Sequence, residues 1–212
     1  MPAAFDSQIK HVILIVPGGA RKKDYYDNAS LAPNIGELAA AGFVFEEDHC
    51  ETVTSHRACA GEMVKGLSGC FFVKDEDRVS AVLRELKPGV LVLRQMAQDK
   101  GHDDYEEYLE AIREMDRSVG AIAGFVRSDP ILRENTAIVI RPEFGRDDIV
   151  NQFGQLHHSP GFYCTHRVAS IFWGAGISRG VGRDIVDRRN FGLRIESILS
   201  RGLHGLRGFE SA

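Results

Sequence analysis

Short apolar runs rich in β-branched residues alternate along this chain with longer segments whose apolar residues recur at helical spacing. The runs that predict buried strands are residues 11–16, 43–45, 90–93, 136–140 and 168–173. The clearest helical segment extends from about residue 104 to 127, and its apolar stripe begins at Tyr108 and ends at Val126. Because helices separate successive strands, we predict an α/β fold: a mostly parallel sheet sandwiched between helices, in a single domain.

Proline and glycine mark the ends of several other predicted elements. Pro33 lies near the start of a helix predicted over residues 32–41, and Gly42 ends it. The remaining helices are predicted over residues 58–65, 75–86 and 187–199. We expect residues 1–10 to form a polar arm and residues 203–212 a frayed tail of one domain that spans residues 1–212.

Composition and charge exclude several classes of function. The 212 residues suffice for one domain with a sizeable core. A formal net charge of -4 implies no general attraction to nucleic acid or to an anionic membrane, and no apolar run approaches the length of a membrane span. The run at 12–16 is too short for a signal peptide. The four cysteines lack paired metal-binding spacing, so we expect reduced thiols in a cytoplasmic protein.

Acidic, basic and imidazole side chains gather after the strand predicted at residues 136–140. Pro142 ends that strand, since proline cannot donate to a sheet ladder. The charged and imidazole residues that follow are Glu143, Arg146, Asp147, Asp148, His157 and His158. Ligands of open α/β sheets bind beyond the carboxyl ends of the strands, so this cluster predicts a site for a metal or an anionic substrate.

A second group of potential ligands, Asp99, His102 and Asp103, follows an earlier predicted strand. Acidic residues at this position could instead cap the next helix, a role that suits Asp103 or Asp104 together with Glu107. The residues alone leave both interpretations open.

Hydroxyls and glycines near two other strand ends also allow a functional and a structural interpretation. Thr54 or Ser55 could be a nucleophile at a strand-to-helix turn, but an N-cap is the commoner role and is favoured. Gly18 and Gly19 permit close backbone approach to a ligand or a tight turn, and the turn is favoured. The basic triplet at residues 21–23 could bind a small anion or a nucleotide, although a solvated surface turn is favoured.

Taken in order, several segments resemble the alkaline phosphatase and sulfatase superfamily. The opening strand, turn, helix and short strand are similar in HVILIVPGGAR (11–21) and APNIGELAAAGFVF (32–45). The nucleophile turn with its helix resembles TSHRACAGEMVKG (54–66), and the long helix resembles YLEAIREMDRSVG (108–120). The closing half looks like NTAIVIRPEFGR (135–146), the histidine pair and FWGAGISRG (172–180). The resemblance covers most of the chain and implies an alkaline-phosphatase-like fold.

The resemblance also implies a two-metal esterase, in which metals stabilise both the attacking and the leaving oxygens of a phosphate or sulfate ester. Carried over by position, Thr54 or Ser55 would be the nucleophile, and Arg57 or Arg146 would clamp an anion. The residues implied for one metal, Zn or Mn, are Asp99, His102 or Asp103, and His157 or His158; Glu143 would belong to a second metal.

Three departures from the superfamily's pattern bear on that activity. Gly18 stands where members usually have an aspartate, and Glu143 with Phe144 stands where they usually have an Asp-His pair. A phenyl ring cannot ligate a metal, and a lone carboxylate with a hydroxyl holds a divalent cation poorly. The segment between Gly66 and Ser80 is also shorter than in typical members, so the usual substrate-facing insertions are missing there.

These departures favour a degenerate domain, a pseudoenzyme with weak or no catalysis. It would act as a scaffold or as a subunit of an assembly, with a protein partner or with a second copy of itself. The alternative is a metal-dependent hydrolase of small anionic phosphate or sulfate esters whose metal centre is reduced to one ion. The expected cofactor is accordingly one Zn or Mn ion, or none.

Overall fold

An eight-stranded sheet forms the centre of the computed structural model, which describes residues 9–51 and 55–201. The strands are β1 (His11–Pro17), β2 (Phe43–His49), β3 (Cys70–Val73), β4 (Val90–Gln95), β5 (Thr136–Ile140), β6 (Arg167–Gly174), β7 (Gly180–Gly182) and β8 (Val186–Asp187). Their spatial order is β3-β4-β1-β5-β6-β2-β7, and β8 pairs with β2. The tail predicted after residue 202, and the arm except for its last two residues, lie outside the described residues.

Helices cover both faces of this sheet. They are α1 (Lys22–Tyr25), α2 (Pro33–Ala41), α3 (His56–Met63), α4 (Asp77–Glu85), α5 (Tyr105–Ser128), α6 (Pro130–Asn135), α7 (Tyr163–His166) and α8 (Phe191–Arg201), with short 3-10 helices at Ala97–His102 and Arg188–Asn190. Strands β3, β4, β1 and β5 run parallel, whereas β6 is antiparallel to both of its neighbours, β5 and β2. The predicted α/β fold with a mostly parallel sheet is confirmed.

The central strand β1 is buried over its whole length, and its side chains divide between two hydrophobic clusters. Ile13 and Ile15 pack in the cluster that contains the apolar stripe of α5. Val12 and Leu14 point to the opposite face and join the cluster that contains Ile195 of α8. A strand buried on both faces has to be apolar at every position, which explains the unbroken run in the sequence.

Helix α5 begins and ends at capping residues. The Asp104 carboxylate accepts from the Glu107 backbone N–H at the start, so the capping interpretation is confirmed for Asp104. Asp129 ends the helix, and its side chain then accepts from the Ile131 and Leu132 N–H groups at the start of α6. The chain therefore begins a second helix, α6, directly after α5, whereas the sequence had predicted only the end of the long helix.

Four local expectations need correction. Strand β3 was not predicted; it is only four residues long and exposes Phe71 and Phe72 at the sheet edge. The last helix begins at Phe191 instead of residue 187, because β8 and a 3-10 turn occupy residues 186–190. β2 continues past its apolar start to His49. The basic triplet is not a solvated turn throughout, since Arg21 is buried against Asp24 at 2.7 Å.

A charged network lies in the interior between β2, β5 and α8. Asp48 accepts from Arg141 at 2.7 Å and from Arg194 at 3.2 Å, and all three side chains are buried. Burying one carboxylate between two guanidinium groups avoids the large cost of an unpaired interior charge. This network joins three elements that are distant in the sequence.

Within the described ranges, the helices are either too short or too polar to cross a lipid bilayer.

Candidate functional site

Three neighbouring parallel strands, β4, β1 and β5, end at one edge of the sheet. Gly18 follows β1, Glu143 lies just beyond β5, and the 3-10 helix after β4 carries Asp99. The first turn of α3 brings His56 to the same edge, where its Cε1 atom would lie 3.6 Å from a Cβ placed on Gly18. Four separate segments therefore meet at the carboxyl edge of the sheet, where ligands of α/β folds bind, and three of them contribute side chains.

The Glu143 carboxylate is fully buried, and both of its oxygens have protein partners. Arg94 donates from Nη2 to Oε1 at 2.8 Å, and His56 Nδ1 lies 2.5 Å from Oε2. The backbone fixes the residue as well, because its N–H donates to the Pro17 carbonyl and its carbonyl accepts from Arg188 Nη1. A guanidinium and an imidazole thus compensate a carboxylate that would be costly to bury alone.

His56 bridges two carboxylates. Its Nε2 lies 3.0 Å from Asp99 Oδ1, while its Nδ1 contacts Glu143. Burial alone would lower the pKa of the His56 imidazole, but the two carboxylates outweigh burial and raise this pKa above its usual value. Burial would likewise raise the pKa of Asp99, but His56, His102 and Arg146 hold it below its usual value. This geometry stabilises an imidazolium between two carboxylates, and a metal at His56 would have to displace the proton from Nε2.

Both histidines of the adjacent pair reach the site, through different contacts. His157 Nδ1 lies 2.8 Å from His102 Nδ1. The His158 ring lies 4.6 Å from the His102 ring and 5.6 Å from the His56 ring, measured between centroids. Burial, followed by the Arg146 charge, lowers the pKa of His158 to about 4. His158 is therefore neutral near pH 7 and retains a nitrogen lone pair, the form in which an imidazole binds metals.

Three of these side chains form a set that fits one metal ion. His56, Asp99 and His158 each offer one ligand atom, and these atoms lie within 4.8 Å of one another. Two imidazole nitrogens and a carboxylate oxygen suit Zn or Mn. Glu143 would orient the His56 ring from its far side, as carboxylates commonly do behind metal-binding histidines. Glu143 itself is a poor candidate ligand, because both of its oxygens are engaged.

The Phe144 ring fills the space beside Gly19. It is buried, and its centroid lies 4.9 Å from that of His56 and 4.5 Å from that of His158. A Cβ on Gly19 would lie 2.5 Å from the Phe144 ring, so close approach to a side chain explains this glycine. A Cβ on Gly18 would make ordinary contacts at 3.6 Å or more. Space alone therefore does not exclude an aspartate at position 18.

Arg146 is fully buried and ties three loops together. Its Nε donates to the Gly19 carbonyl, its Nη1 to the Leu156 carbonyl and its Nη2 to the Gln98 carbonyl. It faces the site through Asp99, whose Oδ1 lies 3.2 Å from Nη2. The predicted anion clamp is thus placed beside the site, but with its donors committed to backbone oxygens.

Three further predicted site residues that the structure describes lie at the protein surface. Ser55 is exposed and is the N-cap of α3, where its side chain accepts from the Ala58 N–H. This contact matches the structural interpretation favoured for its hydroxyl. Arg57 and Asp103 are exposed. Thr54 lies outside the described residues.

His56 and Arg94 are the two site residues that the sequence interpretation missed. His56 lies next to Ser55 within a quoted motif, at the first helical position after a predicted turn. Arg94 lies one residue beyond the predicted end of a buried strand, and it aligns with Val16 of β1. The strand-end rule could have found Arg94, because polar residues directly after a buried strand are the ones that reach a site there.

Comparison with known proteins identifies the fold. The sequence matches no protein-family model, and no curated protein matches it. Among solved structures, a protein in the alkaline phosphatase superfamily from Vibrio parahaemolyticus is similar at 13% identity and a TM-score of 0.63, over 92% of this chain and 67% of that one. The PsFucS1 sulfatase from Pseudoalteromonas sp. matches at 12% identity and a TM-score of 0.62, over 89% and 67% of the two chains.

A third similar structure is the lipoteichoic acid synthase LtaP from Listeria monocytogenes, at 9% identity and a TM-score of 0.62, over 93% of this chain and 73% of that one. These likenesses confirm the alkaline-phosphatase-like and sulfatase-like fold that the sequence motifs predicted. At such low identities they establish the fold and leave the activity to the residues of the site.

Proposed function

We propose that this chain, whose fold is that of alkaline phosphatases and sulfatases, is a degenerate domain with weak or no ester hydrolysis. It would serve as a scaffold or as a subunit of an assembly, bound to a protein partner or to a second copy of itself. The observation that carries the proposal is the pairing of both Glu143 oxygens with Arg94 and His56.

Two-metal catalysis uses one ion for the attacking oxygen and one for the leaving oxygen. A second ion at Glu143 would have to displace the Arg94 guanidinium from a fully buried carboxylate. It would also lack the two further ligands that Gly18 and Phe144 cannot supply. The proposal follows because the chain can compensate the Glu143 charge without an ion, yet cannot assemble a second set of ligands around it.

The first test is an ester hydrolysis assay. We expect purified protein, supplied with Zn or Mn, to hydrolyse p-nitrophenyl phosphate and p-nitrophenyl sulfate no faster than buffer with the same metal. Turnover that is well above this background and is lost in His158→Ala would refute the degenerate interpretation. His49→Ala is the matched control, because His49 pairs with Glu47 outside the site.

The second test concerns the assembly. Analytical ultracentrifugation over a range of protein concentrations should detect self-association, and purification from the native host should recover a stoichiometric partner if association is with another protein. A chain that remains monomeric and partner-free in both measurements would contradict a scaffold or subunit role. The expected cytoplasmic location belongs to this proposal and rests on the cysteine spacing in the sequence.

The alternative function is hydrolysis of a small anionic ester at a centre with one metal. The ligand set of His56, Asp99 and His158 favours it, because these groups converge and His158 is neutral near pH 7. A bound Zn or Mn would polarise an ester oxygen as a Lewis acid. Elemental analysis distinguishes the possibilities: a metal near one ion per chain, lost in His158→Ala but retained in His49→Ala, would support a real metal site. Ester turnover that disappears in the same variant would then favour the hydrolase.

A further inference from the structure

One edge of the central sheet is open. Strand β3 comes first in the spatial order of the sheet, and among the residues that the structure describes it pairs with β4 and with no other strand. A Cβ placed on Gly69, just before β3, would meet no atom within 4 Å beyond its chain neighbours. Phe71 and Phe72 are 36% and 51% exposed. An open edge that carries aromatic side chains, with no lysine or proline within the strand, favours pairing with another strand.

Helix α4 lies beside this edge, and two of its faces are already covered. Val82 and Leu83 are buried in the hydrophobic cluster that also contains the stripe of α5. The flank with Ser80 and Arg84 faces α5, because Ser80 lines a cavity together with Phe125 and the Arg84 Cζ atom lies 4.9 Å from the centroid of the Phe125 ring. Since α5 covers the centre of the sheet, the opposite flank of α4 faces the open edge.

That outer flank of α4 carries opposite charges at its two ends. Arg78, Ala81 and Glu85 are exposed, and their spacing of i, i+3 and i+7 places them on one face of the helix. Within the described ranges, neither Arg78 nor Glu85 has an ion-pair partner. The small Ala81 lies between them. If this face meets a copy of itself in the antiparallel direction, each Arg78 lies opposite Glu85 of the second copy.

The strand and the helix are compatible with the same twofold axis. Helix α4 connects the parallel strands β3 and β4 and therefore runs back across them, so its middle residue, Ala81, is level with the middle of β3. An axis perpendicular to the sheet at this level pairs β3 antiparallel with its copy and brings the two α4 helices side by side. A twofold interface requires a surface that is complementary to itself, and the charges of Arg78 and Glu85 meet that requirement.

We propose that the β3 edge and the outer flank of α4 bind a second copy of this chain, which gives a symmetric dimer with one continuous sheet. The two β3 strands pair antiparallel, with Phe71 or Phe72 opposite its own counterpart. Arg78 of each copy contacts Glu85 of the other. This inference rests on the proposed function as a subunit of an assembly, for which it names the partner and the surface.

Charge reversal tests the contact between the helices. We expect sedimentation velocity over a range of protein concentrations to show a wild-type dimer. Arg78→Glu or Glu85→Arg should weaken dimerisation by about tenfold, because each dimer contains two of these contacts and each attraction becomes a repulsion. The double variant Arg78→Glu/Glu85→Arg again places opposite charges across the axis and should recover dimerisation. Arg133→Glu, which reverses an exposed charge on α6, is the matched control.

Cross-linking at Ala81 tests the symmetry. A residue beside a twofold axis meets its own counterpart, so Ala81→Cys should form an intermolecular disulfide on mild oxidation. The background is Cys70→Ser/Cys164→Ser, in which the remaining thiols are buried. Ala40→Cys, at an exposed alanine of α2, is the control and should not cross-link.

Phe72 tests the contact between the strands. Phe72→Lys places a charge on the open edge, as natural sheets do to prevent pairing, and should weaken dimerisation by about tenfold or more. Because Phe72 is half exposed, the fold should be retained, and a thermal melt followed by circular dichroism checks this. Phe153→Lys, at a loop residue that is 74% exposed, should leave the dimer unchanged.

Three results would overturn this interface: a chain that is monomeric at every concentration, a dimer that is unaffected by Arg78→Glu and Phe72→Lys, or a monomer whose partner from the native host is lost in Phe72→Lys. The second result places the dimer contact on another surface, and the third places a foreign strand on the edge. Both leave the proposed assembly role intact. Ester turnover that is lost in His158→Ala would instead refute the degenerate function without affecting the dimer.

Discussion

Replacing Arg94 with glutamine tests whether a protein cation compensates the buried carboxylate at the centre of this site. Arg94 donates to Glu143 at 2.8 Å, and the Glu143 side chain is 0% exposed. In Arg94→Gln, the Glu143 carboxylate would lose one of its two charged partners and keep only His56. Glutamine keeps the first three carbons of the side chain but is shorter and uncharged, so the variant removes the cation together with the packing of the guanidinium.

The size of the loss follows from burial. Breaking a fully buried ion pair by removing one partner costs about 3–5 kcal/mol. The Arg94 side chain is 26% exposed, so solvent screens part of its interaction, and we expect a loss of about 2–3 kcal/mol in the free energy of unfolding. This is a large share of the roughly 5–15 kcal/mol that stabilises a typical domain.

Urea denaturation followed by circular dichroism measures this loss. The midpoint should fall by about 1 M with an unchanged slope. Arg133→Gln is the control, because Arg133 and its partner Glu134 are both more than half exposed, and it should change stability by no more than about 0.5 kcal/mol. In the double variant Arg94→Gln/Glu143→Gln, no uncompensated carboxylate remains, so part of the loss should be recovered.

Two results would refute this reasoning. If Arg94→Gln were no less stable than Arg133→Gln, Arg94 would not be compensating a buried charge. Suppose instead that adding Glu143→Gln to Arg94→Gln lowered the free energy of unfolding further, by as much as an independent buried substitution would. The loss in Arg94→Gln would then come from packing and not from the unpaired carboxylate.

Three further predictions concern the rest of the fold. Asp48→Asn should lower the free energy of unfolding by about 3–5 kcal/mol in urea, because it leaves two buried guanidinium groups without a carboxylate. Burial would raise the pKa of Asp48, but its arginine partners hold this pKa below its usual value. The carboxylate therefore stabilises the fold at neutral pH, and this stabilisation is lost as the pH falls. Urea denaturation across pH should show that the wild type is more stable than Asp48→Asn at pH 7 and that the difference declines only below about pH 4. Gly19→Ala should cost about 1–3 kcal/mol by pressing a methyl group into the Phe144 ring, whereas Gly18→Ala, whose Cβ has room, should cost much less in a parallel thermal melt.

The sequence predicted the buried parts of the fold well, because burial leaves a periodic signal. Residues 136–140 form β5 as predicted, and the stripe between Tyr108 and Val126 lies on the buried face of α5. Strand β3 left no such signal, since it lies at the sheet edge with two exposed phenylalanines. The 3-10 turn at Arg188–Asn190 was missed for another reason: Asp187 caps a turn locally, and its side-chain contact has no periodicity.

The site was predictable only where the strand-end rule applies. Glu143 and Asp99 follow strands, so their convergence could be expected from sequence. His56 comes from a helix that crosses the same edge, and nothing in the local pattern indicates that its ring contacts Glu143, 87 positions away. The packing of Phe144 on Gly19 is a contact of the same kind, because it depends on how two strand ends lie relative to each other in space.

A guanidinium in the place of an ion would separate two roles that a metal normally combines. A divalent cation beside Glu143 would both compensate the buried carboxylate and accept electron pairs from an ester oxygen. Arg94 compensates the same charge at 2.8 Å, but a guanidinium has no vacant coordination position and acts only as a hydrogen-bond donor. A chain with this pair can therefore keep the buried carboxylate and the packing around it while losing one half of two-metal chemistry. Under the proposed function, this pair would let the fold keep its buried carboxylate without the reaction.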